Sequence, residues 1–208
     1  MKLLLFYHLY RQLEEIYYSS MFFNKSNFLK THCDVYVSCN NKSFSVKDLE
    51  ERCKFEAKTN IAVTTKNAGY SFGQVEAESD TFEMWREYDY VIFCQPDCYI
   101  TTDEHLIKAF QSEFDAMVSP IDHIGRMCYT GDFFVLKPTV NLFRGWKAYY
   151  SETNDRNYPH EHYLTDRINE TYTNIKTFER HGHRERQIDT FGLWHEHNNN
   201  NVKKVLGL

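Results

Sequence analysis

The sequence predicts an α/β fold of three layers, with helices over both faces of a mainly parallel central sheet. Short apolar or β-branched runs alternate with longer helical patterns along the chain, which is the spacing of βαβ units. The run from Tyr88 to Phe93 is almost continuously apolar, as a strand covered on both faces must be. At 208 residues, 42% hydrophobic and 16% aromatic, the chain is sized for one domain with a substantial core.

The elements follow in order. Residues 2–7 form an apolar first strand, and Leu13, Ile16, Tyr17, Phe28 and Leu29 recur at helical spacing over about 12–30. Residues 34–38 give a second strand. Ser45 and Asp48 make a capping pair for a helix reaching about Ala57. The β-branched stretch 60–65 is a third strand. Ser71-Phe72-Gly73-Gln74 has capping-box spacing for a helix to about Glu87, ahead of the fourth strand at 88–93. Thr101 and Glu104 are expected to cap the next helix, with Leu106, Ile107 and Phe110 along one side. Strands at 114–119 and 132–137 and helices over 139–151 and 160–170 complete a single domain spanning 1–197. Asn198 to Asn201 is a low-complexity run, and the apolar Val205-Leu206-Gly207-Leu208 has no evident partner. Residues 198–208 therefore read as a tail, or as a linker to further domains of a longer chain.

Charge and cysteine usage exclude several classes. A net charge of −5 and a pI near 6.1 give no basic footprint for nucleic acid, nor for standing attachment to an anionic membrane. The six cysteines form no CxxC pair and read as reduced thiols. The apolar start Leu3-Leu4-Leu5-Phe6 is broken by Tyr7-His8 and Arg11, too soon for a signal peptide. No stretch is long enough to span a bilayer. These features read as a cytoplasmic protein.

Open α/β sheets bind ligands beyond the carboxyl ends of their strands, so the segments just after each strand carry the chemistry. After the fourth strand, Cys94-Gln95-Pro96-Asp97 sets a carboxylate on a proline-stiffened turn, where it could bind a hard divalent cation or serve simply as a turn residue. After the third strand, Lys66-Asn67-Ala68-Gly69-Tyr70-Ser71-Phe72-Gly73 combines glycines with a following helix N-terminus, a combination that admits phosphate but also serves as an ordinary helix entry.

Together these two segments resemble the inverting glycosyltransferases of family 2, in particular their rhamnosyltransferase-like members of the GT-A fold. Those carry N-x-G-[FY]-[AS]-x-G, a helix, and then a strand ending in N-P-D. This chain has Asn67 to Gly73, a helix, and Gln95-Pro96-Asp97. Tyr7-His8-Leu9-Tyr10-Arg11 is similar to the family's nucleotide-contacting turn. Gly131-Asp132-Phe133-Phe134-Val135-Leu136-Lys137 is similar to its acceptor-side strand, and Pro159-His160-Glu161-His162 stands in place of its "ED" base motif. The whole is also similar to the glycosyltransferase domains that chlorella viruses encode for capsid glycans, which would place it in the host cytoplasm.

The resemblance implies transfer of a hexose or deoxyhexose, glucose or rhamnose, from a UDP-sugar or dTDP-sugar to a glycan acceptor. It implies Tyr10, Arg11, Ser38, Asn67 and Gly69 around the donor and Asp97 on Mn²⁺ or Mg²⁺. Such enzymes commonly complete the metal shell with a histidine near the C-terminus, here His195 or His197. Loops at 66–73 and 181–197 would close over the donor. Two departures stand out. The usual Asp-x-Asp is reduced to Gln95-x-Asp97, and His162 replaces the usual base. Glu161 shares a helical stripe with Leu164 and Ile168 that faces inward, so it is the expected general base, with Asp132 the alternative. His162 and Asp166 share another face, where a solvated pair is expected. His181, His183, Arg184 and Arg186 would border the diphosphate or merely solvate a loop. Rival readings are a sugar-nucleotide nucleotidyltransferase, whose glycine-rich phosphate loop is missing after the first strand, and a non-catalytic carbohydrate- or zinc-binding module, which the ten histidines would suit.

Overall fold

The computed structural model describes residues 1–64, 70–123, 125–153, 160–179, 188 and 191–208. The chain opens with β1 (Leu3–Leu9), α1 (Leu13–Lys25), α2 (Asn27–His32), β2 (Cys33–Cys39), α3 (Val46–Arg52), β3 (Thr59–Val63), α4 (Tyr70–Trp85) and β4 (Tyr90–Cys94). There follow β5 (Cys98–Ile100), α5 (Glu104–Ala109), β6 (Ala116–Val118), β7 (Pro120–His123), β8 (Arg126–Tyr129) and β9 (Phe133–Leu136). The last elements are α6 (Trp146–Thr153), α7 (His160–Thr171), β10 (Ile175–Thr177), β11 (Leu193–His195) and α8 (Asn199–Leu206).

Seven strands form the main sheet in the order β10-β6-β9-β4-β1-β2-β3. β3, β2, β1 and β4 run parallel, as do β6 and β10, while β9 lies antiparallel between β4 and β6. The centre of the sheet is buried on both faces. Along β1, Leu3, Leu5, Tyr7 and Leu9 join one core with Ile16, Leu29, Leu49 and Leu106 of the helices on that side. Leu4 and Phe6 join the other, with Val75, Phe82 and Trp85 of α4 and Tyr163, Leu164 and Ile168 of α7. Period-two alternation with both sets apolar is what makes β1 and β4 read as uninterrupted runs. The three-layer α/β architecture is as expected from the sequence.

Local departures have physical reasons. The single helix expected over 12–30 breaks at Ser26, which turns extended so that its hydroxyl caps α2 through the Leu29 N–H at 2.9 Å. The Ser45–Asp48 capping box is present in full. Thr101 does not cap α5. Its hydroxyl donates to the Gly192 carbonyl at 2.8 Å, and Asp103 stands at the N-cap. Helix α4 begins at Tyr70, so Ser71 and Gly73 lie within it rather than in the loop expected to close over the donor. The short β5, β10 and β11, and the β7–β8 hairpin, were not evident from periodicity. The tail holds α8, whose Val202 is fully buried against Tyr18, Phe22, Tyr99 and Trp194; of the apolar Val205–Leu208, Leu206 packs on the same cluster while Val205 and Leu208 are exposed. No disulfide joins the described cysteines, and no helix among the described residues is long and apolar enough to cross a membrane.

Candidate active site

At the carboxyl ends of the central strands, three segments converge. The turn after β4 is tight, with Cys98 N–H donating to the Gln95 carbonyl at 2.9 Å, and it presents Asp97. Strand β5 leaves this turn and pairs antiparallel with β11, so that His195 stands opposite Cys98. The Glu196 N–H then donates to the Asp97 carbonyl at 3.1 Å, which locks the two segments together. Alternation along β11 and its extension sends His195 and His197 to one side and Trp194 and Glu196 to the other.

Asp97, His195 and His197 each offer a ligand atom within 4.8 Å of the others. Nδ1 of His197 is 3.0 Å from Oδ2 of Asp97, and Nε2 of His195 is 3.6 Å from the same oxygen. Nδ1 of His195 lies 3.1 Å from Oδ2 of Asp132, at the start of β9. Burial would raise the pKa of Asp97, yet the hydrogen bonds and charges of His195 and His197 outweigh it and hold the carboxyl well below the usual range. Burial would likewise lower His195, but Asp132 and Asp97 push it up to about 10. The hydrogen bond to Asp97 raises His197 as well. Oδ1 of Asp97 is buried without a hydrogen-bond partner among the described residues. A carboxylate oxygen and two imidazoles make a donor set that fits a divalent transition metal better than Mg²⁺, which prefers oxygen alone.

Glu161 sits in the first turn of α7, and a methyl group placed on Gly131 would come within 3.5 Å of its Oε1. It therefore flanks the Gly131–Asp132 turn. The inward stripe expected with it is present, since Leu164 and Ile168 are fully buried. Asp166 is more than a solvated charge: it accepts from the Tyr149 hydroxyl at 2.6 Å and pairs with Arg126.

Of the expected nucleotide residues, Ser38 is buried at the end of β2, in register with His8, whose Nδ1 is 3.4 Å from the Ser38 hydroxyl. Burial and the nearby His160 lower His8 to about 4, so it is neutral at physiological pH. Tyr10 is exposed just past β1, with the Arg11 guanidinium 5.1 Å over its ring. Asn67 and Gly69 lie outside the described residues, as do Pro159, His181, His183, Arg184 and Arg186.

Sequence reasoning missed a buried polar network beneath the site. Glu78, 0% exposed, faces His160 across 3.3 Å, and Gln74 donates to Glu78 at 3.1 Å and to the Gly131 carbonyl at 3.3 Å. Gln95 in turn donates to Gln74 at 3.4 Å. The signal was available: Gln74 and Glu78 stand at i and i+4, where they share a helix face with the buried Val75 and Phe82 close by. Asn40 was also missed. It is buried beyond β2, with Oδ1 unpartnered among the described residues.

No family model and no curated protein matches the chain. Solved structures do share its fold. S. aureus TarS, residues 1–349, aligns with a TM-score of 0.56 at 12% identity, over 86% of this chain and 58% of that one. The same TarS fragment in complex with UDP-GlcNAc gives 0.55 at 12% identity, over 88% and 59%. The mannosyltransferase PcManGT from Pyrobaculum calidifontis, in complex with GDP-Man and Mn²⁺, gives 0.57 at 10% identity, over 86% and 55%. The chain thus spans rather more than half the length of these proteins. It has the GT-A fold of nucleotide-diphospho-sugar transferases.

Proposed function

We propose that the protein is a metal-assisted, inverting glycosyltransferase that uses a nucleotide-sugar donor. The observation that carries the reading is the convergence of Asp97, His195 and His197 at the carboxyl edge of the sheet, where this fold leaves its ligand crevice. The similar structures support it, since TarS was seen with UDP-GlcNAc and PcManGT with GDP-Man and Mn²⁺.

In this reading Asp97, His195 and His197 hold Mn²⁺ (or Mg²⁺). A cation held there supplies Lewis-acid neutralisation of charge on the departing diphosphate. Tyr10, Arg11 and Ser38, with Asn67 and Gly69, hold the nucleoside end, and the open acceptor on Asn40 faces the same end of the sheet. Asp132 steadies His195 through the 3.1 Å contact. Glu161 takes the proton of the acceptor hydroxyl as it attacks the anomeric carbon from the side opposite the leaving group. The carboxylate suits that role because, among the described residues, no hydrogen bond or ion pair occupies it. The donor sugar is a hexose or deoxyhexose, glucose or rhamnose, on UDP or dTDP, and the acceptor is a glycan hydroxyl. On the resemblance to rhamnosyltransferase-like enzymes, or to the capsid-glycan enzymes of chlorella viruses, the reaction is proposed to take place in the cytoplasm.

Incubation with a panel of radiolabelled nucleotide sugars, with and without Mn²⁺, tests this. Metal-dependent release of UDP or dTDP with label transferred to a glycan is expected. Release of pyrophosphate from a nucleoside triphosphate would instead mark a nucleotidyltransferase. Glycan binding without turnover of any donor would mark a carbohydrate-binding module.

A further inference from the structure

Both halves of the candidate metal site are tied to the same pair of helices. On one side, the buried Ser19 of α1 donates its hydroxyl to the Pro96 carbonyl at 2.8 Å, next to Asp97. On the other, Glu196 lies between the two histidines and points away from them. Its side chain is buried, 3% exposed, with Oε1 accepting from the Asn198 N–H at 2.8 Å and Oε2 accepting from Asn201 Nδ2 at 2.8 Å. Asn198 is the N-cap of α8, its own side chain accepting from the Asn200 N–H, and Asn201 lies in the first turn. Glu196 therefore fastens the His195–His197 segment to the start of α8.

Helix α8 is itself anchored on α1. Val202 is fully buried with Tyr18 and Phe22 of α1, Tyr99 of β5 and Trp194 of β11, and Leu206 packs against the same cluster. Asn199 Nδ2 donates to Glu15 at 3.2 Å and to Glu14 at 3.4 Å. The α1–α8 pair thus grips both ligand-bearing segments from behind. Strand β11 has only three residues and one partner strand, so its own ladder constrains it weakly.

We propose that Glu196 is a positioning residue, and that helix α8, through Glu196, holds His195 and His197 in the geometry that binds the cation. This rests on the metal-site reading above. A carboxylate buried with both oxygens satisfied by one helix is a costly element for a mere tail, because losing its partners would leave a desolvated charge. Outer contacts that orient metal ligands typically change affinity by 10–100-fold when removed.

The test is Mn²⁺ binding to the full-length, nucleotide-free chain by calorimetry, beside a thermal melt of each variant. The unaltered protein is expected to bind Mn²⁺, and Glu196→Ala to weaken binding about tenfold. Glu196→Gln keeps one acceptor oxygen and should fall in between. Asn201→Ala, which removes one clamp bond and leaves the carboxylate in place, should weaken binding by less than Glu196→Ala and serves should Glu196→Ala fail to fold. Leu49→Ala, in the core under α3, should lower the melting temperature without changing Mn²⁺ affinity, which separates positioning from general stability. Absence of Mn²⁺ binding to the unaltered protein would remove the metal-site reading and this inference with it. Binding by the unaltered protein and equal binding by Glu196→Ala or Asn201→Ala would overturn the inference alone.

Discussion

His195 stands between two carboxylates, Nδ1 3.1 Å from Asp132 and Nε2 3.6 Å from Asp97, so that one side chain from β11 joins the turn after β4 to the start of β9. This arrangement divides labour between the two candidate bases. The Asp132 carboxylate is taken up by its 3.1 Å contact with His195, whereas among the described residues no hydrogen bond engages the Glu161 carboxylate. Glu161→Gln is therefore expected to keep donor binding and to lose roughly 10²–10⁴ in transfer rate, the usual span of general-base assistance. Asp132→Asn should act chiefly on metal affinity instead. Single-turnover transfer assays beside donor titrations separate the two; native-rate transfer by Glu161→Gln would return the base role to Asp132.

Asp97 is predicted to be needed for metal-dependent nucleotide binding. It is the only carboxylate of the Gln95-x-Asp97 turn, and its buried Oδ1 has no described hydrogen-bond partner. Asp97→Ala should abolish the enhancement of UDP affinity by Mn²⁺ while leaving the weaker metal-free affinity in place. Calorimetric titration of UDP with and without Mn²⁺ checks this. An undiminished Mn²⁺ effect in the variant would remove Asp97 from the site.

The buried pair of His160 and Glu78 predicts a pH dependence of stability. Burial alone would lower the pKa of His160, but the charge and hydrogen bond of Glu78 at 3.3 Å, with smaller contributions from Glu161 and Asp132, raise it above the ordinary value. The groups facing the ring are thus Glu78 from α4, Glu161 on its own helix, Asp132 before β9 and the neutral His8 of β1. A raised folded-state pKa means that the folded chain holds the proton more tightly than the unfolded one. Its stabilisation is full below about pH 6.5, the unfolded value, and is lost as pH rises through the folded value. The melting temperature should therefore fall as the pH rises above about 6.5. Glu78→Gln should flatten that slope and cost about 1–3 kcal/mol at pH 6, as expected when a buried partner is weakened. Thermal melts of both proteins across the range decide it; parallel slopes would mean that His160 does not carry the effect.

What could be read from the sequence, and what could not, follows from where the information sits. Strands such as β1 and β4 announce themselves because burial on both faces demands unbroken apolar runs, and the Ser45–Asp48 cap is a local pattern. Asp97 and the two histidines were legible as residue types at strand ends, but their convergence was not. It depends on β5 and β11, three residues each, joined across more than ninety positions of sequence by pairing that leaves no periodic trace. Helix α8 was missed for a related reason. Its asparagine run is poor in helix propensity, and what stabilises it is the Asn198 cap and the burial of Val202, which are tertiary facts. Glu78 and His160 were invisible as a pair because each reads alone as a solvated helix charge, and only the packing of α4 against α7 buries them together.

Gly192, which opens the ligand-bearing strand, sits at a φ of +83°, in the left-handed region that favours glycine. Its carbonyl accepts both the N–H and the hydroxyl of Thr101 at 2.8 Å, so the backbone cannot relax without releasing β5. A Cβ added here would overlap Cγ2 of Thr102 and approach the Thr102 carbonyl to 3.0 Å. Gly192→Ala then carries two separable costs, about 1–2 kcal/mol for the left-handed conformation and about 1–3 kcal/mol for overpacking. At roughly 2–4 °C per kcal/mol for a chain of this length, the melting temperature should drop by several degrees. Adding Thr102→Ser removes the offending methyl group and should recover the larger share of the steric part, leaving the contact with the Thr102 carbonyl and the conformational part. Metal binding should follow the same order, since His195 lies three residues further along the strand. Melts and Mn²⁺ titrations of the single and double variants test the account; a double variant no better than Gly192→Ala would show that the contact with Thr102 contributes nothing.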